Sequence, residues 1–191
     1  MGRDTKAAIL DVAQDLIQSR GANAISYQHI SERVRIRKAS LHYHFPTKEH
    51  LLEAVLARYC GTFLGLVDAI LGSNESAARK LRRYIGLFDS ALRAGAGAKV
   101  CLCGMLGAEL ASLGSPAVVQ LRRFCRQNAE RVARVLETGR ETGELRFAGE
   151  AKTLGLLLFS LLEGTMLVAR ADGGARRFRR VAEQFLMLVR P

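Results

Sequence analysis

The sequence contains only three prolines in 191 residues and no long polar tract, so it offers no obvious linker between separate domains. No segment alternates between apolar and polar residues as a half-buried strand does. Hydrophobic residues make up 49% of the chain and charged residues 25%, a balance typical of a globular protein. We therefore expect an all-α chain of one or two domains with a proper core.

We expect no export signal, because the polar start, MGRDTK, leads directly into a predicted amphipathic helix. The most apolar run, residues 154–169, is shorter than a membrane-spanning segment and contains Glu163. We expect a buried helix there and no membrane partner. Four cysteines without an export signal are typical of reduced thiols, which predicts a cytoplasmic location.

Residues for catalysis are scarce. All four histidines fall between residues 29 and 50, and no Gly-rich phosphate loop or Ser–His–Asp arrangement is present. Cys101 and Cys103 lie two residues apart, and such positions diverge by about 200° on a helix, which disfavours joint metal binding. We expect no enzyme activity, no cofactor and no metal site.

Acidic residues are also few, since 18 Asp and Glu stand against 29 Lys and Arg. The resulting net charge of +11 suits a polyanionic partner such as nucleic acid. The excess is spread along the chain, so most of it solvates the outer faces of helices.

The segment from Ser26 to Glu49, SYQHISERVRIRKASLHYHFPTKE, carries the most specific pattern. Ser26 can cap a first short helix, and Ile25 and Ile30 are placed to form a hydrophobic staple across that cap. A turn at residues 35–37 follows, and then a second short helix over 38–44 that Pro46 stops. This layout predicts a helix-turn-helix, whose second helix enters a DNA major groove.

Successive residues of the second helix are about 100° apart, so Ala39 and Tyr43 point outward when Leu41 points into the core. A small residue at Ala39 lets the helix approach the bases, and basic residues around this face suit phosphate contacts. The predicted DNA-binding residues are Ser26, Tyr27, Arg37, Lys38, Ala39, Ser40, His42, Tyr43 and Lys48.

The first fifty residues resemble the DNA-binding domain of TetR-family transcriptional repressors. The residues that carry this resemblance are Ile9, Ala13, Leu16, Gly21, Ile30, Ser40-Leu41 and His44-Phe45-Pro46-Thr47-Lys48-Glu49, followed by Leu51-Leu52. The chain departs from the family at three positions. Arg35 stands where Gly is usual in the turn, Arg37 where Ser or Thr precedes the second helix, and His42 where Tyr is usual.

The resemblance implies a homodimeric repressor of a double-stranded DNA operator, released when a small-molecule effector binds the C-terminal part. It implies a three-helix N-terminal domain over residues 1–46, and a helical bundle over 47–191 that binds effector and dimerises. About nine helices are expected in all. After the helix-turn-helix we expect helices at 47–71, 75–94, 99–113, 115–141, 148–171 and 174–189, with Gly95-Ala96-Gly97, Gly143 and Gly173-Gly174 among the separators.

The last two helices are predicted to form the dimer interface, because they carry more apolar surface than one neighbouring helix needs. The alternative is that this surface packs inside the chain. The candidate interface residues are Leu154, Leu158, Leu161, Met166, Phe178 and Phe185, with Gly155 and Gly164 permitting close approach.

The effector pocket is predicted from apolar residues of the C-terminal part, together with two acids that lie amid apolar runs. These acids, Glu109 and Glu163, are either polar anchors for a cationic or hydroxylated effector or exposed at a helix edge. The apolar candidates are Phe63, Leu66, Tyr84, Phe88, Met105, Phe124, Phe159, Leu162 and Met166.

Cys101 follows Lys99 and is predicted to open the sixth helix, a setting that lowers a thiol pKa. Cys101, with Cys103 nearby, could therefore sense oxidants or electrophiles. The alternative is that both cysteines pack in a tight helix crossing. A helical adaptor that does not bind DNA is the remaining rival to a gene regulator.

Overall fold

The computed structural model describes residues 5–94, 98–172 and 174–190, and these form helices without strands. The predicted all-α class is therefore confirmed. Within the described ranges the helices are α1 Thr5–Arg20, α2 Tyr27–Val34, α3 Lys38–His44, α4 Lys48–Leu71, α5 Ala77–Ala94, α6 Leu102–Ala108, α7 Ser115–Glu141, α8 Ala151–Ala171 and α9 Ala175–Leu188.

Two compact units divide the chain. The first unit holds the described residues up to Gly61 together with Leu102–Arg122, and the second holds Thr62–Cys101 and the described residues from Arg123 onward. The boundary therefore falls inside the continuous helices α4 and α7. The first unit includes α6, which is distant from the N-terminal helices in sequence.

In the first unit, α1 packs against α2 and α6, and α2 packs against α3. Its core comprises fully buried aliphatic side chains from each of these helices and from the start of α4. They include Ile9, Ile17, Ile30, Leu41, Leu51, Leu56, Leu102 and Leu106.

The helix-turn-helix forms where the sequence predicts it. The Ser26 hydroxyl accepts a hydrogen bond from the N–H of His29, and the His29 ring accepts one from the N–H of Ser26. This reciprocal capping begins α2 and confirms the predicted cap. Thr47 precedes α4, and its hydroxyl accepts from the N–H of His50 at 3.3 Å.

In the second unit, α8 packs against α9, and both contact α5. Gly155 of α8 faces α7, where an added Cβ would lie 2.7 Å from the Ala129 carbonyl oxygen and 2.9 Å from the Ala133 nitrogen. A glycine at 155 therefore allows close approach within the chain itself. An added Cβ at Gly164 would meet nothing within 4 Å, so this glycine makes no such crossing within the chain.

The expected sixth helix, 99–113, is wrong in extent. The helix α6 spans only Leu102–Ala108, and a short 3₁₀ turn at Leu110–Ser112 follows it. Glu109 leaves helical geometry with φ −110° and ψ 25°. Its carboxylate bonds to the chain after α1, and that tertiary contact replaces the continued helix. The helices expected from residues 75 and 148 begin at Ala77 and Ala151, while the expected separator Gly95-Ala96-Gly97 and Gly173 lie outside the described residues.

Two helices, α4 and α8, are long and apolar enough to cross a membrane by length and composition alone. The sequence argument that the run at 154–169 is too short is therefore wrong, since α8 extends it to 21 residues. Both helices also place residues in the protein core, for example Val55 and Val67 of α4 and Leu158 of α8. The core helices of soluble proteins share this length and composition.

Candidate nucleic-acid interface and effector site

The outer face of α3 is open. Leu41 is fully buried, and Tyr43, two residues further on, is 84% exposed. Ala39 and His42 are exposed as well, and Ser40 is half-buried. The helix therefore presents a small residue, two hydroxyls and an imidazole on the side away from the core.

Basic side chains surround this face. Arg35, Arg37 and Lys38 are exposed and lie in the turn and at the start of α3. Arg37 occupies the cap position of α3 and makes no side-chain capping bond. The family usually has Ser or Thr at this position, so α3 lacks the side-chain cap that such a residue can supply.

The turn contains a left-handed residue. Arg35 has φ 64° and ψ 47°, and it is the one non-glycine with positive φ among the described residues. A side chain is strained in this region, whereas glycine is not. The departure from glycine at this position therefore leaves strain in the turn.

Two residues predicted to touch DNA have structural contacts. Tyr27 is buried, with its hydroxyl 2.7 Å from the Phe45 carbonyl oxygen and 2.6 Å from that of Thr47. Its assignment as a DNA contact is wrong, because the ring and hydroxyl tie α2 to the end of α3. Lys48 is half-buried and donates to the Ile25 carbonyl oxygen at 2.8 Å. The sequence gives no direct sign of these long-range bonds.

His42 lies beside Tyr27. Their ring centroids are 4.7 Å apart, and the His42 Nδ1 is 3.3 Å from the Pro46 carbonyl oxygen. An imidazole here packs on the buried tyrosine while its outer edge stays exposed.

The second unit gathers aromatic rings predicted to line a pocket. Phe88 contacts Phe63, Tyr84 and Phe159, and Phe124 contacts Phe63 and Phe159. All five rings are buried, and the interplanar angles between contacting pairs run from 62° to 76°. The rings therefore pack edge to face, as aromatic clusters prefer. Leu162 and Met166, also predicted pocket residues, are buried in the same unit.

A buried polar cluster adjoins these rings. The Tyr84 hydroxyl donates to Oδ1 of the fully buried Asn128 at 3.1 Å. Glu163 hydrogen-bonds to Cys101 and interacts electrostatically with Tyr84. Burial, with Cys101 adding to it, raises the pKa of the Glu163 carboxyl well above its usual range. Burial likewise raises the pKa of Tyr84, with Glu163 and Cys101 adding to it.

Two atoms of this cluster have no hydrogen-bond partner among the described residues. They are Oε1 of Glu163 and Nδ2 of Asn128, and neither is accessible to solvent. Glu163 is only partly buried as a residue, but this oxygen lies inside. Buried polar atoms without partners are costly, so each indicates a place for a ligand or water.

Sequence reasoning missed Asn128. Its signal was present, because Asn128 lies four residues from Phe124 and four from Val132, on the buried face of α7. A polar residue at a core position of an amphipathic helix marks a site that needs a partner.

Three predicted pocket residues do not belong to this cluster. Leu66 is 49% exposed. Met105 and Glu109 lie in the first unit. The Glu109 carboxylate accepts hydrogen bonds from the N–H groups of Ala22 at 2.6 Å and Asn23 at 3.3 Å, so its assignment as an effector anchor is wrong.

A surface cavity of about 430 Å³ lies in the second unit and is lined by none of the predicted pocket residues. Its acids are engaged within the chain. Asp68 pairs with Arg131, Glu75 with Arg83, and Glu144 accepts from the N–H of Ala77. The cavity is thus bordered by acids that already have partners within the chain.

The cysteines differ from expectation. Cys101 immediately precedes α6 and so lies at its N-terminus, but it is buried. Cys103 lies in the first unit with its Sγ 3.9 Å from that of buried Cys60, a neighbour that sequence reasoning did not consider. Within the described residues no group of three His, Cys, Asp or Glu side chains could hold a metal ion.

Most residues predicted for the dimer interface lie inside the chain. Leu158, Met166, Phe178 and Phe185 are buried, and Leu154 and Leu161 are half-buried. Burial of these four residues favours the alternative, that they pack inside the chain. The apolar side chains that these two helices leave exposed are Leu156, Leu157, Leu167, Val168, Met187 and Leu188.

These features define a helix-turn-helix protein with an open, basic-rimmed recognition helix and a separate helical unit. Residues 9–55 match the family model described as bacterial regulatory proteins, tetR family. A TetR-family transcriptional regulator from Agrobacterium tumefaciens is 30% identical, with a TM-score of 0.92 over 98% of both chains. A TetR regulator from Legionella pneumophila is 28% identical, with a TM-score of 0.88 over 99% of both.

Among characterised relatives, the transcriptional repressor NemR of Escherichia coli is 25% identical over 87% of this chain and 84% of its own. The chain belongs to the TetR family, and it is a DNA-binding transcriptional regulator of the repressor type. Its relatives are transcriptional regulators, a class whose members are generally not enzymes.

Proposed function

We propose that the protein is a homodimeric repressor that binds a pseudo-palindromic operator and is released by a small molecule bound in its C-terminal part. The observation that carries the DNA-binding part is the outer face of α3. There Tyr43 is 84% exposed and Ala39 leaves room for the bases. We assign residues 1–46 to the DNA-binding domain and 47–191 to the effector and dimerisation domain.

In this proposal Ala39, Ser40 and Tyr43 face base edges. Arg37 and Lys38 contact phosphates, as does His42 with its exposed edge. Ser26 and Lys48 border the same surface while serving as a cap and a backbone tie. Phosphate contacts position the head, and the three residues on the outer face of α3 supply the sequence preference.

A dimer is proposed because one recognition helix of seven residues can contact only a few base pairs. Two heads about 34–36 Å apart can read half-sites one helical turn apart. The exposed apolar residues Leu156, Leu157, Leu167 and Val168 of α8, with Met187 and Leu188 of α9, support an interface between copies.

Release by an effector requires that the effector bind the DNA-incompetent conformation more tightly. The unpartnered polar atoms of Glu163 and Asn128, beside the aromatic cluster, support an effector site in the second unit. The helix α4 continues from the first unit into the second, which offers a covalent route for the signal.

A gel shift tests the proposal. The purified protein should bind the DNA upstream of its own gene more tightly than random DNA of equal length. Affinity should fall steeply between about 50 and 200 mM salt, because phosphate contacts release counterions. A helical adaptor would show no sequence preference, so equal binding to both DNAs would sink the regulator proposal. We also place the protein in the cytoplasm, because its relatives are bacterial transcriptional regulators.

A second candidate is a repressor that senses oxidants or electrophiles through Cys101. The hydrogen bond between Cys101 and Glu163 favours it, because the signal would arise in the same polar cluster. Burial of Cys101 favours ordinary packing instead. Treatment with a peroxide or an aldehyde should lower the operator affinity of the wild type and leave the Cys101→Ser variant unchanged. Unchanged wild-type affinity would end this candidate.

A further inference from the structure

The cluster formed by Tyr84, Asn128 and Glu163 has two open hydrogen-bonding positions. Tyr84 occupies Oδ1 of Asn128, which leaves the Nδ2 group as a donor without an acceptor. Cys101 engages the carboxyl of Glu163, and its Oε1 stays without a partner. An occupant that satisfies both groups accepts from Nδ2 of Asn128 and pairs with Oε1 of Glu163.

We propose that the second unit binds an uncharged molecule with an apolar or aromatic body and one amide or carbonyl group, held by Asn128 and Glu163. This rests on the proposed function, in which the second unit takes an effector, and it names the chemical class of that effector. The carbonyl oxygen accepts from Asn128 Nδ2, and the amide or carbonyl also pairs with the Glu163 carboxyl.

The burial of the Glu163 carboxyl supports an uncharged ligand. Burial raises the pKa of this carboxyl, which favours its protonated form, and that form can donate as well as accept. A carboxylate ligand would place a second acid beside it. A cation would require an ion pair in an apolar setting, where desolvation offsets much of the attraction.

The aromatic rings support the same class. An aromatic cage for a cation turns ring faces toward a common centre. Here Phe88 packs against Phe63, Tyr84 and Phe159 at interplanar angles of 62° to 76°, so ring edges cover neighbouring faces. Such a cluster offers apolar contact to a flat or aliphatic body and little to a positive charge.

Three probes with the same phenyl ring separate the charge classes at pH 7: benzamide is neutral, benzylamine is a cation and benzoate is an anion. We expect benzamide at millimolar concentration to raise the melting temperature and to give a saturable heat of binding, with the other two at least tenfold weaker. Tighter binding of the cation, lost in Glu163→Gln, would overturn the inference. Binding of none of the three would also overturn it, and would mean that water fills the open positions.

Two variants test the residues. Glu163→Gln keeps a neutral donor and acceptor, so it should bind benzamide within about threefold of the wild type. Asn128→Leu removes the donor and should weaken benzamide about tenfold, the effect of one neutral hydrogen bond. Asn74→Leu, at an exposed position of the same unit, is the matched control and should change nothing. Full retention of benzamide binding by Asn128→Leu would contradict the proposal. If Asn128→Leu fails to fold, Glu163→Gln provides the test, and loss of benzamide binding in that variant would contradict the proposal.

Operator binding measured on the same samples separates the two proposals. Operator binding without benzamide binding overturns the effector class and leaves the repressor intact. Benzamide binding without operator binding overturns the repressor and leaves the ligand class standing.

Discussion

The Glu109 carboxylate accepts a hydrogen bond from the backbone N–H of Ala22 at 2.6 Å, across 87 residues of sequence. The same group bonds to Asn23, so it satisfies two N–H groups just past the end of α1. Gly21 takes φ 86°, and a Cβ there would lie 2.5 Å from the Glu109 carboxylate. The contact thus needs both a glycine and an acid, and it joins the segment after α6 to the N-terminal helices of the first unit.

Glu109→Ala should lower the free energy of unfolding by about 1.5 kcal/mol, because two N–H groups lose a charged acceptor. Glu109→Gln keeps an acceptor and should lose roughly half as much. Urea denaturation measures both, with exposed Glu141→Ala as the control. An unchanged midpoint for Glu109→Ala would show that this contact does not stabilise the unit.

Arg35→Gly should stabilise the first unit by up to about 1 kcal/mol, since glycine relieves the left-handed strain at φ 64°. Arg35→Ala removes the same guanidinium but keeps Cβ, so it should give no such gain. Thermal melts of both variants make the comparison. Equal melting temperatures for the two would mean that the turn stores no strain at this residue.

Tyr27 should make stability depend on alkaline pH. Burial raises its pKa from 10.0 to about 12, so the folded protein keeps a proton that the unfolded chain gives up. Its contribution is complete below pH 10 and is lost as the pH rises toward 12. In Tyr27→Phe the fall in melting temperature over this window should be smaller than in the wild type. A fall of the same size would assign the effect to other groups.

Tyr43→Ala should reduce the preference for operator over random DNA while leaving the fold intact, because the side chain is 84% exposed. Lys38→Ala should weaken binding to both DNAs alike and lower the salt slope by about 1, as loss of one phosphate contact does. Titrations on both DNAs across a salt series measure this. Equal losses on both DNAs for Tyr43→Ala would contradict its role in base reading.

Leu157 and Leu158 are neighbours with opposite expected effects. Leu157 is 55% exposed, so Leu157→Glu should yield a folded monomer with weakened operator binding. Leu158 is fully buried, so Leu158→Ala should cost about 2–5 kcal/mol of stability without changing the association of the folded protein. Sedimentation and denaturation measure the two effects. A dimeric Leu157→Glu variant would place the interface elsewhere.

The sequence was sufficient for the helix-turn-helix because its signals are local. The Ser26 cap, the buried Leu41, the Pro46 stop and the hydrogen bond at Thr47 act within one or two turns of the chain. The strain at Arg35 could also be anticipated, because a turn position that favours glycine implies a positive φ.

The sequence was insufficient wherever a side chain's partner lies far along the chain. The Tyr27 hydroxyl lies within hydrogen-bond distance of the carbonyl oxygens of Phe45 and Thr47, which are 18 and 20 residues away. The helix α6 ends at Ala108, and the carboxylate of the next residue, Glu109, accepts a hydrogen bond from the N–H of Ala22. A helix with apolar residues around much of its surface, such as α8, also does not reveal which leucines face the core.

The sequence by itself thus determined the local structure of this protein, because caps, turns and periodicity depend on near neighbours in the chain. Tertiary packing alone decided that Leu158 is core while Leu157 is surface, and that Asn128 and Glu163 share one buried cluster with Tyr84. Burial sets both outcomes, since it depends on which helices meet and not on the order of residues within any one of them.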